Sequence, residues 1–285
     1  MKFHPRAWWA DWMSYPRFLG HIWPRLWVDN PEEYRVRRKC LHSSWWPKVL
    51  QAPIGRRLLV ISPHPDDEAI GAGGLLLAHR TTSEIHILCL TEGEKGGRLS
   101  AKDRSSRPVS ARETMAATRR AELLSVAKLL RAKPPVFLGF PDGAVPTSGR
   151  AVARLAEEVE RIRPDVVLLP WFLDKHPDHR AANLLYARAC GKRDGIVLGY
   201  EIWDPLEPNA LFDITPHLEK KLALIRRYRS QLRTVDYLKL AKTLANFRGF
   251  YTPIRRDRTG LVEGYVALPN REYCRLAERL LGRKT

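Results

Sequence analysis

Cysteine is scarce in this sequence and shows no motif. Four cysteines occur among 285 residues, at Cys40, Cys89, Cys190 and Cys274, and no two of them have a CxxC or CxH spacing. Cys89 lies inside an apolar segment, where a buried free thiol is the ordinary interpretation. The chain therefore suits a reducing compartment, and we expect a cytoplasmic protein.

Long apolar runs and internal repeats are also missing. No run approaches the ~18 residues that span a bilayer. The N-terminus lacks the roughly 7 to 15 apolar residues of a signal-peptide core. We therefore expect neither a membrane-spanning protein nor export by that route.

Short apolar segments alternate with helical stretches along the chain. Strands are predicted at residues 57–62, 84–90, 136–140, 165–170, 196–200 and 261–268, and an amphipathic helix at residues 217–231. Apolar strands that alternate with helices are typical of a parallel sheet covered on both faces. The expected fold class is α/β and Rossmann-like. We expect one domain at residues 51–285, with its motifs at about 58–190, and an extension at residues 1–50.

Positive charge is concentrated in the two flanks. The net charge is +18, and Lys and Arg outnumber Asp and Glu by 11 to 4 in residues 1–57 and by 17 to 6 in residues 218–285. This distribution suits an anionic partner, such as a phospholipid surface, a lipid-linked saccharide phosphate or nucleic acid. A generally basic composition without such a partner is the alternative.

The N-terminal extension is rich in tryptophan and arginine. Seven of the nine tryptophans lie there: Trp8, Trp9, Trp12, Trp23, Trp27, Trp45 and Trp46. The two residue types together favour a bilayer interface, which predicts contact with the inner face of an anionic membrane. The same aromatic rings can pack on the domain or form an oligomer contact, which we favour slightly. Nucleic acid is disfavoured, because no RNP, KH or helix-turn-helix signature accompanies them.

Two short motifs follow predicted strands and carry reactive side chains. Residues 63–68 read PHPDDE, and residues 176–179 read HPDH. Ligand sites of open α/β sheets lie beyond the carboxyl ends of the strands, so two such loops can converge on one metal. Together they supply two imidazoles and a carboxylate for a catalytic zinc, with a further carboxylate and imidazole for moving protons.

Three further motifs appear in order between and around these two. Residues 91–94 read TEGE after the second strand, residues 119–122 read RRAE at the expected start of a helix, and residues 137–143 read FLGFPDG. The ordered set resembles the PIG-L or LmbE-like family of zinc-dependent N-deacetylases. The resemblance covers residues 59 to about 188, a little under half of the chain.

The resemblance implies a set of metal ligands. In that family the first histidine and second aspartate of HPDD and the last histidine of HPDH bind the metal, which gives His64, Asp67 and His179 here. Three protein ligands leave the fourth position of a tetrahedral zinc open for water. These nitrogen and oxygen donors also accept iron(II), so the expected cofactor is Zn²⁺, with Fe²⁺ as the alternative.

The resemblance also implies which residues move protons. Asp66 resembles the general base that takes a proton as metal-activated water attacks the amide carbon. His176 resembles the second catalytic histidine and is expected, in its protonated form, to donate to the oxyanion. Asp174 and Asp178 are expected to orient the histidines. Their alternative is a structural function as turn and capping residues.

Other polar residues of the motifs have less defined functions. Arg119 and Glu94 are candidate substrate-binding residues, with Arg119 meeting a substrate hydroxyl or phosphate. Arg119 can equally pair with Glu122, one helical turn away. Glu68 and the glycine cluster at residues 71–74 are expected to serve packing.

The implied activity is that of an amidohydrolase. It would remove the acetyl group from an N-acetylglucosamine-containing glycoconjugate or glycolipid precursor, releasing acetate and a free amine. An amidase acting on a thiol conjugate or an acylated secondary metabolite is the alternative within enzymes. A catalytically silent module that binds membrane or nucleic acid is disfavoured, because every catalytic position is intact.

Overall fold

One mixed sheet runs through the described part of the chain, which in this computed structural model comprises residues 47–97, 109–251, 254 and 259–282. Its strands are β1 (Lys48–Val49), β2 (Arg57–Ser62), β3 (Glu84–Thr91), β4 (Val136–Phe140), β5 (Val166–Pro170), β6 (Ile196–Tyr200), β7 (Ala210–Asp213) and β8 (Val262–Pro269). They lie in the order β1-β7-β8-β6-β5-β2-β3-β4. Neighbouring strands are parallel, except that β8 is antiparallel to both β6 and β7.

Helices connect the strands. They are α1 (Asp67–His79), α2 (Val109–Leu130), α3 (Arg150–Ile162), α4 (Pro177–Cys190), α5 (Leu218–Ile225), α6 (Arg229–Leu232), α7 (Tyr237–Tyr251) and α8 (Asn270–Leu281), with a 3₁₀ turn at Thr215–His217. The chain leaves β2 for β3 and β4 and then returns to β5 on the other side of β2. The direction of winding therefore reverses between β2 and β5, and a crevice at the carboxyl ends of these strands is the expected ligand site.

Two apolar layers cover the two faces of the sheet. Leu59 and Ile61 of β2 belong to one buried cluster, whereas Leu58 and Val60 belong to the other. Successive side chains of a strand point to opposite faces, so a strand covered on both faces must be apolar at every position. Each fully buried leucine contributes ~1.5–3 kcal/mol, which makes such a strand a strong organiser of the fold. The predicted α/β fold with helices on both faces is confirmed.

The glycine cluster brings α1 close to the sheet, as predicted. A Cβ atom added to Gly71 would lie 2.1 Å from Cδ2 of Tyr200. The Tyr200 hydroxyl donates to the backbone oxygen of Ile61 at 3.1 Å. A side chain at residue 71 would therefore push the helix away from β6.

Two sequence predictions differ from the fold. The helix predicted at residues 217–231 is broken into a 3₁₀ turn, α5 and α6, and Tyr228 lies at the break. The apolar periodicity predicted the packed face correctly, but side-chain hydrogen bonds from residues 228 and 230 to other elements turn the chain. The helix that carries Arg119 begins earlier than predicted, at Val109.

The predicted N-terminal extension is described only at its end. Lys48 and Val49, assigned from the sequence to that extension, pair with β7 as an edge strand. The tryptophan-rich part at residues 1–46 lies outside the described residues, so its predicted contacts stay predictions. Cys89, Cys190 and Cys274 are buried free thiols. Within the described ranges, no helix is both long and apolar enough to cross a membrane.

Candidate active site

The polar motifs follow the carboxyl ends of four neighbouring parallel strands. The loop after β2 carries His64 and Asp66, and Asp67 begins α1. The loop after β5 leads into α4, where His176 is the N-cap residue and Pro177 occupies the first turn. The loops after β3 and β4 lie on the far side of β2. Their convergence on the predicted crevice brings together residues more than a hundred positions apart.

Asp66 has an unusual backbone conformation in the β2–α1 turn. Its φ is 134°, a region that residues with a side chain rarely adopt. Its carbonyl oxygen accepts from the backbone N–H groups of Ala69 and Ile70 at 3.1 and 3.0 Å. Thr91 donates to the backbone oxygen of Pro63 at 2.8 Å. The turn is thus held by the start of α1 and by the end of β3.

The three predicted metal ligands lie around one carboxylate oxygen. Oδ2 of Asp67 is 3.3 Å from Nδ1 of His64 and 3.5 Å from Nε2 of His179. All three residues are buried. His176 belongs to the same cluster, since the imidazoles of His64, His176 and His179 have ligand atoms within 4.8 Å of one another. The geometry alone therefore admits His176 as a neighbour or a further ligand.

His179 provides a test of whether a metal suits this cluster. The residue is 0 % exposed, and within the described part of the chain its Nε2 and Nδ1 face only Oδ2 of Asp67 at 3.5 Å and Oδ2 of Asp174 at 3.3 Å, neither in good hydrogen-bond geometry. A buried polar atom without a partner costs ~1–3 kcal/mol. A divalent ion bound between Nε2 of His179 and Asp67 would satisfy the ring. The donor set therefore fits a metal.

Carboxylates lie beside the remaining nitrogen of each proposed histidine ligand. Nε2 of His64 is 3.0 Å from Oδ2 of Asp178 and 3.4 Å from Oδ1 of Asp142. Nδ1 of His179 is 3.3 Å from Oδ2 of Asp174. Carboxylates in these positions orient metal-binding imidazoles and raise their basicity. Asp174 and Asp178 also accept backbone hydrogen bonds from other loops, so their orienting function stays a prediction beside the structural alternative.

Asp142 is a site residue that the sequence did not single out. It was noted only as part of the motif that closes β4. Its backbone N–H donates to Glu94 at 2.9 Å, and its Oδ2 accepts from the backbone of Lys95 at 2.8 Å. Glu94 therefore joins the loops after β3 and β4, while its predicted contact with substrate stays a prediction. The feature of the sequence that could have identified Asp142 is its position directly after a predicted parallel strand.

The cluster contains more carboxylates than fixed positive charges. Burial disfavours the charged form of His64, but Asp142, Asp178 and Asp67 outweigh burial and raise its pKa well above the usual value. Burial likewise opposes ionisation of Asp67, yet His179 and His64 hold its pKa well below the usual value. The surroundings thus favour a cation between these residues, whether protons on the rings or a bound metal.

Arg119 pairs with Asp66 and not with Glu122. Its Nη2 lies 3.0 Å from Oδ1 of Asp66 and donates to the backbone oxygen of Pro65 at 2.5 Å, and its Nη1 donates to Gly93 at 3.2 Å. The residue is only 3 % exposed. Of the two predictions, pairing with Glu122 is wrong, and contact with substrate stays a prediction.

The environment of Asp66 brings its pKa into the neutral range. Burial is the largest influence and raises the pKa to about 7, while Arg119 lowers it and the neighbouring Asp67 raises it. A carboxylate that exchanges a proton near neutral pH is suited to general base catalysis.

The surroundings of His176 disfavour its protonated form. Burial, followed by the nearby His64 and His179, lowers its pKa to about 4. The backbone N–H of Asp178 donates to Nδ1 of His176 at 3.2 Å, so the neutral ring carries its proton on Nε2. The lowered pKa opposes the predicted imidazolium, whose donation to the oxyanion stays a prediction, and Nε2–H is a hydrogen-bond donor in the neutral ring as well.

Glu68 forms buried hydrogen bonds in addition to the packing expected of it. It is 0 % exposed. Its carboxylate accepts hydrogen bonds from the backbone of Asp66 at 3.2 Å, from the Ser62 hydroxyl at 3.1 Å and from the Tyr228 hydroxyl. The residue thus links the reactive turn to the C-terminal part of the chain.

Comparisons with known proteins agree with this arrangement. Residues 59–190 match the family model for PIG-L, described as GlcNAc-PI de-N-acetylase. The diacetylchitobiose deacetylase of Thermococcus kodakarensis is 30 % identical over 196 residues, which cover 62 % of this chain and 70 % of that protein. A probable N-acetyl-alpha-D-glucosaminyl L-malate deacetylase of Bacillus cereus is 27 % identical over 198 residues, which cover 62 % and 84 %.

Solved structures with the same fold include proteins of two reaction types. The N,N'-diacetylchitobiose deacetylase of Pyrococcus horikoshii has a TM-score of 0.64 and 26 % identity, covering 86 % of this chain and 96 % of that one. The 4-carboxy-2-hydroxymuconate hydratase of Pseudomonas putida has a TM-score of 0.63 and 23 % identity, covering 75 % and 96 %. The second likeness shows the fold alone, so the reaction must be argued from the site.

Proposed function

This chain belongs to the PIG-L family of N-deacetylases, hydrolases of amide bonds, and from that premise we propose that it removes the N-acetyl group from an N-acetylglucosamine-containing glycoconjugate or glycolipid precursor. The supporting observation is the position of Asp66, a carboxylate with a near-neutral pKa, beside the cluster of His64, Asp67 and His179. A proton acceptor next to a cation site is the arrangement that amide hydrolysis by water requires.

His64, Asp67 and His179 would hold the metal. Family membership implies a metal-dependent enzyme, and the nitrogen and oxygen donors suit Zn²⁺ first and Fe²⁺ as the alternative. When bound, such an ion supplies Lewis acidity that polarises a carbonyl oxygen and makes water more acidic. Asp178 with Asp142, and Asp174, hold the two imidazoles in orientation.

Asp66 would move the proton in each half of the reaction. It takes a proton from the water that attacks the amide carbon and returns that proton to the nitrogen as the C–N bond breaks. Acetate and a free amine leave. Arg119 holds Oδ1 of Asp66 at 3.0 Å, which directs the carboxylate towards the site. Nε2–H of His176 donates to the substrate carbonyl oxygen as negative charge develops on it.

The relatives' names support an amino-sugar substrate. One relative is named for diacetylchitobiose and another for N-acetylglucosaminyl malate, so the acetylated amino sugar is common and the attached group varies. An amidase of a thiol conjugate or an acylated secondary metabolite remains the second candidate, because the bond broken would be of the same type.

The positive charge of the flanks supports a substrate that carries an anionic group or that lies at an anionic membrane surface. In the described C-terminal part, Arg226, Arg227, Arg229 and Arg233 are exposed within one short stretch. We expect the protein to co-sediment with vesicles that contain anionic lipids and to leave them as salt rises. Equal binding to neutral vesicles would contradict this expectation and favour a free, uncharged substrate. A subunit contact through residues 1–46 would appear as an oligomer in sedimentation analysis.

The activity is tested with a panel of acetylated substrates. Purified protein would be incubated with N,N'-diacetylchitobiose, N-acetylglucosaminyl malate and an N-acetylated thiol conjugate, and released acetate and primary amine would be measured together with metal content. We expect equal amounts of both products from an amino-sugar substrate. Asp66→Asn is the inactive control. Release of acetate and amine from the thiol conjugate alone would favour the second candidate. Release from none of the substrates would reject the proposed deacetylase function.

A further inference from the structure

Glu68 is a buried carboxylate that takes no direct part in the proposed reaction. Its Oε2 accepts from the backbone N–H of Asp66 at 3.2 Å and from the Ser62 hydroxyl at 3.1 Å. Its Oε1 accepts from the Tyr228 hydroxyl. The backbone of Glu68 also donates to the Ser62 hydroxyl oxygen at 3.1 Å. The side chain is therefore held at both oxygens.

The hydrogen bond to Asp66 acts on a strained residue. With φ at 134°, Asp66 has a conformation of the kind that costs ~1–3 kcal/mol and persists only where surrounding contacts enforce it. The bond from its N–H to Glu68 is such a contact. Its carbonyl is bound to the start of α1, and its side chain is bound to Arg119. Loss of the Glu68 contact would let the backbone relax and move the carboxylate.

Tyr228 contacts Glu68 from outside the segment that the family model matches. It lies at the break between α5 and α6 and is 1 % exposed. Its backbone oxygen accepts from Gln231 and Leu232 at 3.0 and 3.1 Å, which fixes the turn. The tyrosine ring therefore approaches Glu68 from a rigid position.

The same turn also contacts the helix that carries Arg119. The backbone N–H and the hydroxyl of Ser230 donate to Glu122 at 2.9 and 2.6 Å. Glu122 lies three residues after Arg119 on α2, about one helical turn away. One short turn thus supports both partners of the Asp66–Arg119 pair, Asp66 through Glu68 and Arg119 through Glu122.

We propose that Tyr228 is a positioning residue that, through Glu68, holds Asp66 in the orientation for proton transfer. The proposal rests on the function proposed above for Asp66. Phenylalanine at this position would keep the ring volume and leave Oε1 of Glu68 without its donor. The carboxylate would then lose the contact that fixes Oε1 and could rotate, which would weaken its bond to the Asp66 backbone.

The test compares two tyrosine-to-phenylalanine variants. Tyr228→Phe removes the donor to Glu68, and Tyr186→Phe is the matched control, since Tyr186 on α4 is also 1 % exposed and donates to Asn270 of α8 at 2.7 Å in the other apolar cluster. We expect kcat to fall ~10-fold in Tyr228→Phe, with KM within about twofold of the parent. A general base raises the rate ~10²–10⁴-fold, and a misoriented base loses only a part of that factor. Tyr186→Phe should keep kcat.

Amide hydrogen exchange gives a readout that does not depend on activity. The peptide containing Asp66 should exchange several-fold faster in Tyr228→Phe and at the parent rate in Tyr186→Phe, with equal metal content in both variants. Ser230→Ala serves as a second variant if Tyr228→Phe does not fold. It should produce a smaller change of the same kind.

Two outcomes would overturn the proposal. In the first, Tyr228→Phe keeps the parent kcat and exchange rate. In the second, kcat falls while the Asp66 peptide keeps its protection, so that the loss arises elsewhere. Absence of deacetylase activity in the parent protein would instead reject the proposed function, and the exchange comparison would still decide whether Tyr228 holds the turn.

Discussion

Residues 59–190 and residues 191–282 contribute different kinds of group to the site. The first region supplies the proposed metal ligands, the proton acceptor and the carboxylates that orient the histidines. The second supplies hydrogen-bond donors to residues that support the reactive groups. The Tyr228 hydroxyl donates to Glu68, the Ser230 hydroxyl to Glu122, and the backbone N–H of Trp203 to Asp174 at 3.0 Å. The proposed reactive groups thus lie in the first region together with the carboxylates that orient them, and the second region adds further supports.

The two regions differ in how strictly the type of each residue is restricted. A reactive group must match the geometry of the reaction, so its identity is restricted, whereas a support must only present a donor at the right place. We expect substitutions of the reactive groups in the first region to affect turnover most, and substitutions in the second region to affect stability unless, as at Tyr228, they act on a support of Asp66.

Loss of a proposed metal ligand should have the largest effect. His179→Ala is expected to abolish turnover and lower metal affinity, since it removes a buried ring nitrogen that faces the carboxylate of Asp67. Turnover and elemental analysis after dialysis check this expectation. His217→Ala, outside the cluster, should retain both properties. Full metal occupancy in His179→Ala would remove His179 from the ligand set.

Loss of the base should come next. Asp66→Asn is expected to keep the metal and lower kcat by ~10² or more. In the parent protein, turnover should decline as the pH drops below about 7, because Asp66, with its pKa raised to about 7, then becomes protonated. The matched control is Asp165→Asn, whose carboxylate binds the backbone of Arg56 and Arg57. Near-normal turnover in Asp66→Asn would assign the base elsewhere.

His176 should show a smaller and pH-independent effect. His176→Ala is expected to lower kcat by ~10², as for other lost oxyanion donors, and His176→Gln, which keeps an N–H donor, by less. The alkaline limb of the pH profile should not move, since a group with its pKa lowered to about 4 is already neutral there. A shifted alkaline limb in either variant would show that His176 titrates in the working range.

A buried ion pair in the second region should affect stability and not turnover. Glu263 is 5 % exposed and accepts from Lys221 at 2.7 Å and from the α1 backbone at Gly74 and Leu75, both at 2.8 Å. Glu263→Gln leaves the ammonium of Lys221 buried without its partner, which should cost ~3–5 kcal/mol of unfolding free energy. Denaturant unfolding measures this cost.

The chain offers an internal control for that ion pair. Adding Lys221→Met to Glu263→Gln removes the uncompensated charge and should restore part of the stability. Turnover per folded molecule should stay near the parent value in both variants. A tenfold loss of kcat in a fully folded variant would show that β8 contributes to the reaction as well as to the fold.

Much of the site was predictable because it lies in short motifs after strands. His64, Asp66, Asp67, His176 and His179 were selected from two such motifs, and the structure brings them together. Asp142 was not selected, because a single aspartate after a strand has no distinctive spacing. The function of Glu68 was mistaken for packing, since its partner Tyr228 is distant in sequence. The protonation state of His176 could not be predicted from the sequence, because its pKa depends on burial and on His64 and His179, which no local pattern reveals.

The sequence by itself determined the mainly parallel α/β fold and the candidate site residues of the two histidine motifs. Strand and helix periodicity report local burial, and motif chemistry depends on residue type, so both can be read along the chain. Only the tertiary structure decided that Arg119 pairs with Asp66, that Asp142 adjoins His64, and that the turn at Tyr228 reaches Glu68. Each of these contacts joins elements distant in sequence, so no local pattern encodes it. Each pKa likewise depends on burial and on charges that are neighbours only in the folded chain.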